Sequence, residues 1–156
     1  MPVEKDSVKS KTLLDGTVVV ENARGRAVMS RLGPGVLLYV CSGVFSVQFY
    51  APMVAVAQRE ADLGGKLLMI VDGWDLRSVD TGFREKWTEW FRAHRRGFVM
   101  RLLVRSKLME MAASVANLFT GITVIRTYSN VSTWEEACAR DFPKFRRNVK
   151  ATGTSL

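Results

Sequence analysis

The chain has 156 residues, 47% apolar and 24% charged, a make-up that fits one ordinary globular domain and excludes a disordered chain. Its formal net charge of +8 is unevenly placed: the stretch from Arg92 to Lys107 has six basic residues and no acid, whereas residues 1–16 balance. A single histidine, His94, and two distant cysteines, Cys41 and Cys138, match no zinc spacing and allow no Ser-His pairing, which argues against hydrolase and metalloenzyme chemistry.

Residues 1–16 are polar, mixed in charge and without a period, so a flexible N-terminal arm is expected there. They lack the apolar core of a secretory signal. Thr17-Val18-Val19-Val20 is short and β-branched, the pattern of an edge strand. Residues 22–26 and 31–35 are rich in Gly, Arg and Pro and read as turns. Val36 to Cys41 is a continuous apolar run closed by Ser42-Gly43, which predicts a buried strand. The longest nearly apolar run, residues 36–47, falls short of the roughly 20 residues that a bilayer span needs. A cytoplasmic location with both cysteines as buried free thiols follows as the expectation.

From Ser46 to Leu63, Phe49, Met53, Val56 and Ala57 share one helical face, and Gly64-Gly65 ends the pattern. Pro52 fits only near the start of that helix. Leu67 to Val71 predicts a second buried strand, with a loop after it that carries Asp72, Asp75, Ser78, Asp80 and Thr81. Phe83, Trp87, Trp90 and Phe91 then recur on one side of a helix, with His94 at its boundary. These aromatics share an apolar stripe, so core packing accounts for them better than stacking on bases. Phe98 to Val104 is a third strand. Ser106 is placed to cap a helix through Phe119, residues 122–125 form a last strand, and Ser132-Thr133-Trp134-Glu135 has the pattern of a capping box opening a final helix to about Asp141. The basic remainder, 143–156, has no core-forming period and is expected to be disordered.

Strands alternating with helices imply an α/β fold with a largely parallel sheet. The predicted organisation is one domain over residues 17–142 between the arm and the basic tail. No residue set suggests a catalytic centre, a metal or a cofactor. Gly33-Pro34-Gly35 is not a phosphate loop, because no Lys-Ser/Thr follows it. The acids and hydroxyls around 72–81 allow two readings: local capping and loop solvation, or a switch in which phosphate on Thr81 or Ser78 sits in a helix first turn. The basic residues Arg92, Arg95, Arg96, Arg105 and Lys107 form a candidate patch, read first as a solvated surface.

Residues from Val36 to about Phe142 resemble the STAS superfamily, and more closely its SpoIIAA-like branch, small bacterial proteins named for an anti-sigma-factor antagonist. The resemblance is carried by Val36-Leu37-Leu38-Tyr39 before Ser42-Gly43, by Leu68-Met69-Ile70-Val71-Asp72, and by Val79-Asp80-Thr81-Gly82-Phe83. Ser106 to Met111, Tyr128 and Trp134-Glu135-Glu136-Ala137 complete it. It implies a STAS-like sandwich with a mostly parallel sheet of four to five strands and about four helices. It also implies a non-enzymatic regulatory module that binds an anti-sigma-factor-like or kinase-like protein partner through Asp72, Asp75, Ser78, Asp80 and Thr81, with Thr81 at the phosphoacceptor position. Threonine stands where such antagonists have serine, and the turn is one residue shorter before the glycine. Two further readings remain: a carrier of a lipid-like ligand held between sheet and helices, and, as the weakest, nucleic-acid binding through the basic patch. A homodimer is compatible with all three.

Overall fold

The computed structural model describes residues 7–106 and 125–147. In chain order the strands are β1 (Lys9–Thr12), β2 (Val18–Glu21), β3 (Gly25–Gly33), β4 (Val36–Phe45), β5 (Leu67–Val79), β6 (Phe98–Val104) and β7 (Ile125–Tyr128). Three α-helices accompany them among the described residues: α1 (Tyr50–Ala61), α2 (Thr81–His94) and α3 (Val131–Asp141). All seven strands form one sheet in sequence order, antiparallel from β1 to β4 and parallel from β4 to β7. The α/β class is as expected. The sheet is larger than the four to five strands predicted, and half of its pairings are antiparallel. The helix expected from Ser106 to Phe119 lies almost wholly outside the described residues.

The extra strands come from segments with weak apolar signals. β1 falls inside the expected flexible arm; all four of its residues are exposed, and backbone pairing with β2 holds it. β3 takes in the inner ends of both stretches read as turns and residues 27–30 between them, with Ala27 and Met29 turned into the core. β5 runs eight residues beyond Val71, so the expected loop from Asp72 to Ser78 is strand. Two irregularities in its pairing with β4, between Val40/Ser42 and Gly43/Val44, interrupt its alternation. Gly43 is required here: its φ is +83°, and a Cβ would run into the Arg24 carbonyl of the neighbouring turn.

Consecutive parallel strands joined by right-handed crossovers put α1 and α2 on the same face of the sheet. Phe49, Met53, Ala57, Phe83, Trp87 and Trp90 fill that layer against Tyr39, Met69 and Met100. The rings pack edge-on or stacked, as in Phe45–Phe49 at 4.3 Å and Trp87–Trp90 at 5.7 Å. Polar tips are satisfied: the Tyr39 hydroxyl donates to the Met53 carbonyl at 2.8 Å, and Trp90 Nε1 donates to Gln58 Oε1 at 2.8 Å, tying α2 to α1. The aromatic stripe is therefore core, as its spacing predicts. The 12 residues of α1 form one helix despite Pro52, because the proline sits in the first turn after a short 3-10 turn at Val47–Phe49.

α3 returns across the opposite face, where Trp134 and Cys138 meet Ile70, Leu103 and Phe145. Its cap is Asn130, whose side chain accepts from the Thr133 amide at 3.0 Å, two residues before the expected Ser132. Phe145 is buried and Arg147 reaches into the sheet, so residues 143–147 of the supposed disordered tail pack on the fold. Both cysteines are buried and unpaired, as expected. Burial pushes the Cys138 thiol up to about 12, and raises Cys41 further, with the charge of Asp72 adding to the effect.

Glu60 clamps α1 onto the β3–β4 turn. Its carboxylate accepts from Arg31 Nε at 2.8 Å, Arg31 Nη2 at 3.1 Å and the Gly35 amide at 3.0 Å. The hydrogen bond from Arg31, above all, holds its carboxyl below the ordinary 4.5, with burial opposing. A carboxyl depressed in the folded state contributes stability that is complete above its unfolded value and is lost as pH falls through the folded one. Glu60→Gln should therefore be less stable than the parent at pH 7, with the gap closing below pH 4.5. Urea melts of both proteins across that range check it; a gap independent of pH would contradict the clamp.

Candidate functional site

At the carboxyl ends of β4 and β5 the chain turns twice within a few ångströms. β4 leads through Ser46 into the 3-10 turn, and β5 leads through Asp80 into α2. Asp80 serves both: Oδ1 accepts from the Phe83 amide at 2.8 Å as the cap of α2, and Oδ2 accepts from the Val47 amide at 3.0 Å. Its own amide donates to the Phe45 carbonyl at 3.0 Å. Gly82 permits the close approach, since a Cβ there would meet the Val47 side chain at 3.2 Å. Asp80 is thus a structural bracket, with both carboxylate oxygens engaged.

Thr81, the first residue of α2, is exposed, and its Oγ1 accepts from Arg84 Nη2 at 3.3 Å. Ser78 is exposed at the end of β5. Beside them is a hollow of about 210 Å³ lined by Asn22, Arg24, Val44, Ser46, Ser78 and Asp80. The Ser46 hydroxyl is buried with no hydrogen-bond partner among the described residues. Ser78, Asp80 and Thr81 therefore share one small surface. Asn22 and Arg24 join it from the β2–β3 turn and Ser46 from just after β4, which residue-by-residue reading does not reveal; only the strand order brings those turns together.

Asp72 and Asp75 do not belong to it. Asp72 precedes Asp80 by eight residues of strand, roughly 20–25 Å along the sheet. It is 2% exposed and faces α3. Its Oδ2 accepts from Arg147 Nε at 2.7 Å and its Oδ1 from the Trp74 amide at 3.1 Å. The Arg147 amide in turn donates to Glu135 Oε2 at 2.7 Å. Asp75 pairs with Arg105 Nη2 at 2.9 Å, and that guanidinium lies 4.7 Å over the Trp74 ring. Both acids are structural partners.

The basic patch also divides. Arg92, Arg95 and Arg96 lie where α2 hands over to β6, whereas Arg105 follows the far end of β6, about 20 Å away along the strand. Lys107 lies outside the described residues. The three arginines border a surface cleft of about 650 Å³, backed by Trp90, His94 and Phe98 and closed on its other side by Ala61 and Gly65. His94 stacks on Trp90 at 4.0 Å, and its Nδ1 is 2.8 Å from the Trp90 carbonyl, so it is a packing residue. The space between the sheet and α1/α2, where a carried lipid would have to sit, is filled by the aromatic layer.

Among the described residues no group of three or more His, Cys, Asp or Glu side chains is placed to hold a metal ion, and no helix is long and apolar enough to cross a membrane. No family model, curated protein or solved structure matches the chain.

Proposed function

We propose that this chain is a non-enzymatic regulatory module of STAS-like type that engages a protein partner through the surface formed by Ser78, Thr81 and the start of α2. The observation that carries the reading is the setting of Thr81: an exposed hydroxyl in the first turn of a 14-residue helix, with Arg84 already in contact. Phosphate on that oxygen would meet free amides, the positive end of the helix and a guanidinium. Both oxygens of the neighbouring Asp80 are held by amides, which reduces the repulsion that a free carboxylate would exert. The order of elements from Val36 onward, strand, helix, strand, helix, strand and later strand, helix, supports the same reading.

Modification here would change a surface charge without any catalytic group in the chain. Incubation with native-host extract and ATP, followed by mass spectrometry, is expected to find phosphate on Thr81 and none in Thr81→Ala at that position. Absence of phosphate from both Thr81 and Ser78 under every condition would remove the switch. The partner surface is tested separately: Ser78→Arg/Thr81→Arg should weaken capture of the native partner at least about tenfold, equivalent to about 1.4 kcal/mol.

A further inference from the structure

We propose that the opposite end of the sheet, where β5 and β6 begin, docks on membranes rich in anionic phospholipid and holds a headgroup phosphate in the Arg92–Arg96 cleft. The first observation is where apolar surface is left in water. The large hydrophobic side chains exposed among the described residues are Leu13, Leu14 and Leu63, with Leu14 fully exposed. Strand pairing puts all three at one end. Thr12 is opposite Val18, which is opposite Met29; β3 then ends at Gly33 opposite Val36, Val36 pairs with Leu68, and Leu68 with Val99. The β1–β2 turn, the α1–β5 loop and the α2–β6 connection therefore point the same way.

The second observation is charge. Arg26, Arg31, Arg101, Arg105 and Arg147 each pair with a carboxylate. Arg92, Arg95 and Arg96 have no such partner among the described residues, and Arg95 and Arg96 are exposed together with Arg92. Of the acids at this end, Glu60 is paired with Arg31, whereas Asp62 and Asp15 accept from neutral donors, Gln58 Nε2 at 2.8 Å and the Thr17 amide at 2.9 Å, which do not cancel a carboxylate's charge. None of them lines the cleft.

The third is size and lining. A cleft of about 650 Å³ is far larger than a phosphate ion and has room for a glycerophosphate headgroup. Leu63 is in the loop that borders the cleft, and Leu13 and Leu14 lie at the same end of the sheet about 20 Å across it. Exposed leucines on one end with arginines that have no carboxylate partner among the described residues are the combination that lies at a headgroup boundary, the apolar groups entering it and the cations meeting its negative potential. Nucleic acid fits less well. Trp90 and Phe98, the aromatic rings at the cleft, are 7% and 2% exposed and cannot serve as stacking platforms. The surface is at the far end of the sheet from Thr81 and requires no modification there.

Co-sedimentation with vesicles tests the proposal. The protein should pellet with an equimolar phosphatidylcholine–phosphatidylglycerol mixture, fail to pellet with phosphatidylcholine alone, and be released as salt rises. Arg92→Gln/Arg95→Gln/Arg96→Gln should weaken binding at least about tenfold, on the usual contribution of each cation near such a surface. Leu13→Ser/Leu14→Ser, at side chains that are 44% and fully exposed in the folded chain, should weaken it severalfold with an unchanged circular dichroism spectrum. No binding to the anionic vesicles, or binding that ignores either set of substitutions, would overturn it. So would arginine-dependent binding of inorganic phosphate or duplex DNA by a protein that leaves the vesicles in solution.

Discussion

Trp134→Ala is expected to destabilise the fold by about 3–5 kcal/mol, the range for removing a fully buried aromatic side chain. Trp134 is 0% exposed and is the largest side chain under α3. It packs edge-on against Phe145 at 5.3 Å, and its indole Nε1 donates to the Arg101 carbonyl at 3.1 Å. Truncation would open a cavity among Ile70, Leu103 and Cys138 and leave the far layer without its central contact. A domain of this size has only about 5–15 kcal/mol in total, so the alanine variant should melt at much lower urea or fail to accumulate. Trp134→Phe separates the two contributions. It keeps most of the ring volume, loses the donor and should cost about 1–2 kcal/mol. If equilibrium urea melts placed the alanine variant within 1 kcal/mol of the parent, α3 would not be the anchor of that face.

The parts of this fold that are legible in the sequence are those with one dominant signal. Residues 36–41 and 67–71 are continuous apolar runs and form central strands; α2 has an unbroken helical stripe and begins where Asp80 caps it. β1 is hidden because an exposed edge strand needs only backbone partners, and Lys9-Ser10-Lys11-Thr12 carries no apolar signal. β3 is blurred: Ala27 and Met29 point inward, but Val28 on the outer face is just as apolar, so the contrast between faces is lost. The far half of β5 is hidden by its pairing irregularities, which break alternation where Gly73, Asp75 and Ser78 already resemble a loop.

The same reasons divide the candidate site. Asp80 and Thr81 stay together because they are neighbours in a cap, a local structure. Asp72 leaves them because its partner, Arg147, is 75 residues away, a pairing no local pattern announces. The arginines from Arg92 to Arg105 look continuous in sequence, yet a strand runs through them and carries its two ends apart. Conversely, Leu13, Leu63 and Arg95 look unrelated until strand order puts three connections at one end.

The Asp72–Arg147 pair gives the second large effect. Arg147→Ala should destabilise the fold by about 3–5 kcal/mol, since it leaves Asp72 charged, buried and short of a partner. The side chains are 3% and 14% exposed, so solvent does little to weaken the interaction. One nitrogen of the guanidinium, Nη2, is itself buried without a hydrogen-bond partner among the described residues, so the pair is imperfectly satisfied. The attraction therefore has to offset the desolvation of two ions and one orphaned donor. It follows that removing both charges should be much milder than removing one: Asp72→Leu/Arg147→Met is expected to recover most of the loss, and a double-mutant cycle should give a coupling of more than about 1 kcal/mol. Urea melts of the four proteins measure this. Additive single losses would mean that the two side chains stabilise independently, leaving Phe145 and the Arg147 amide on Glu135 to hold the C-terminal segment. A strong coupling would instead make Arg147 the residue that fastens this segment across the sheet, and would explain why residues 143–147, a basic stretch without a core-forming period, pack on the fold.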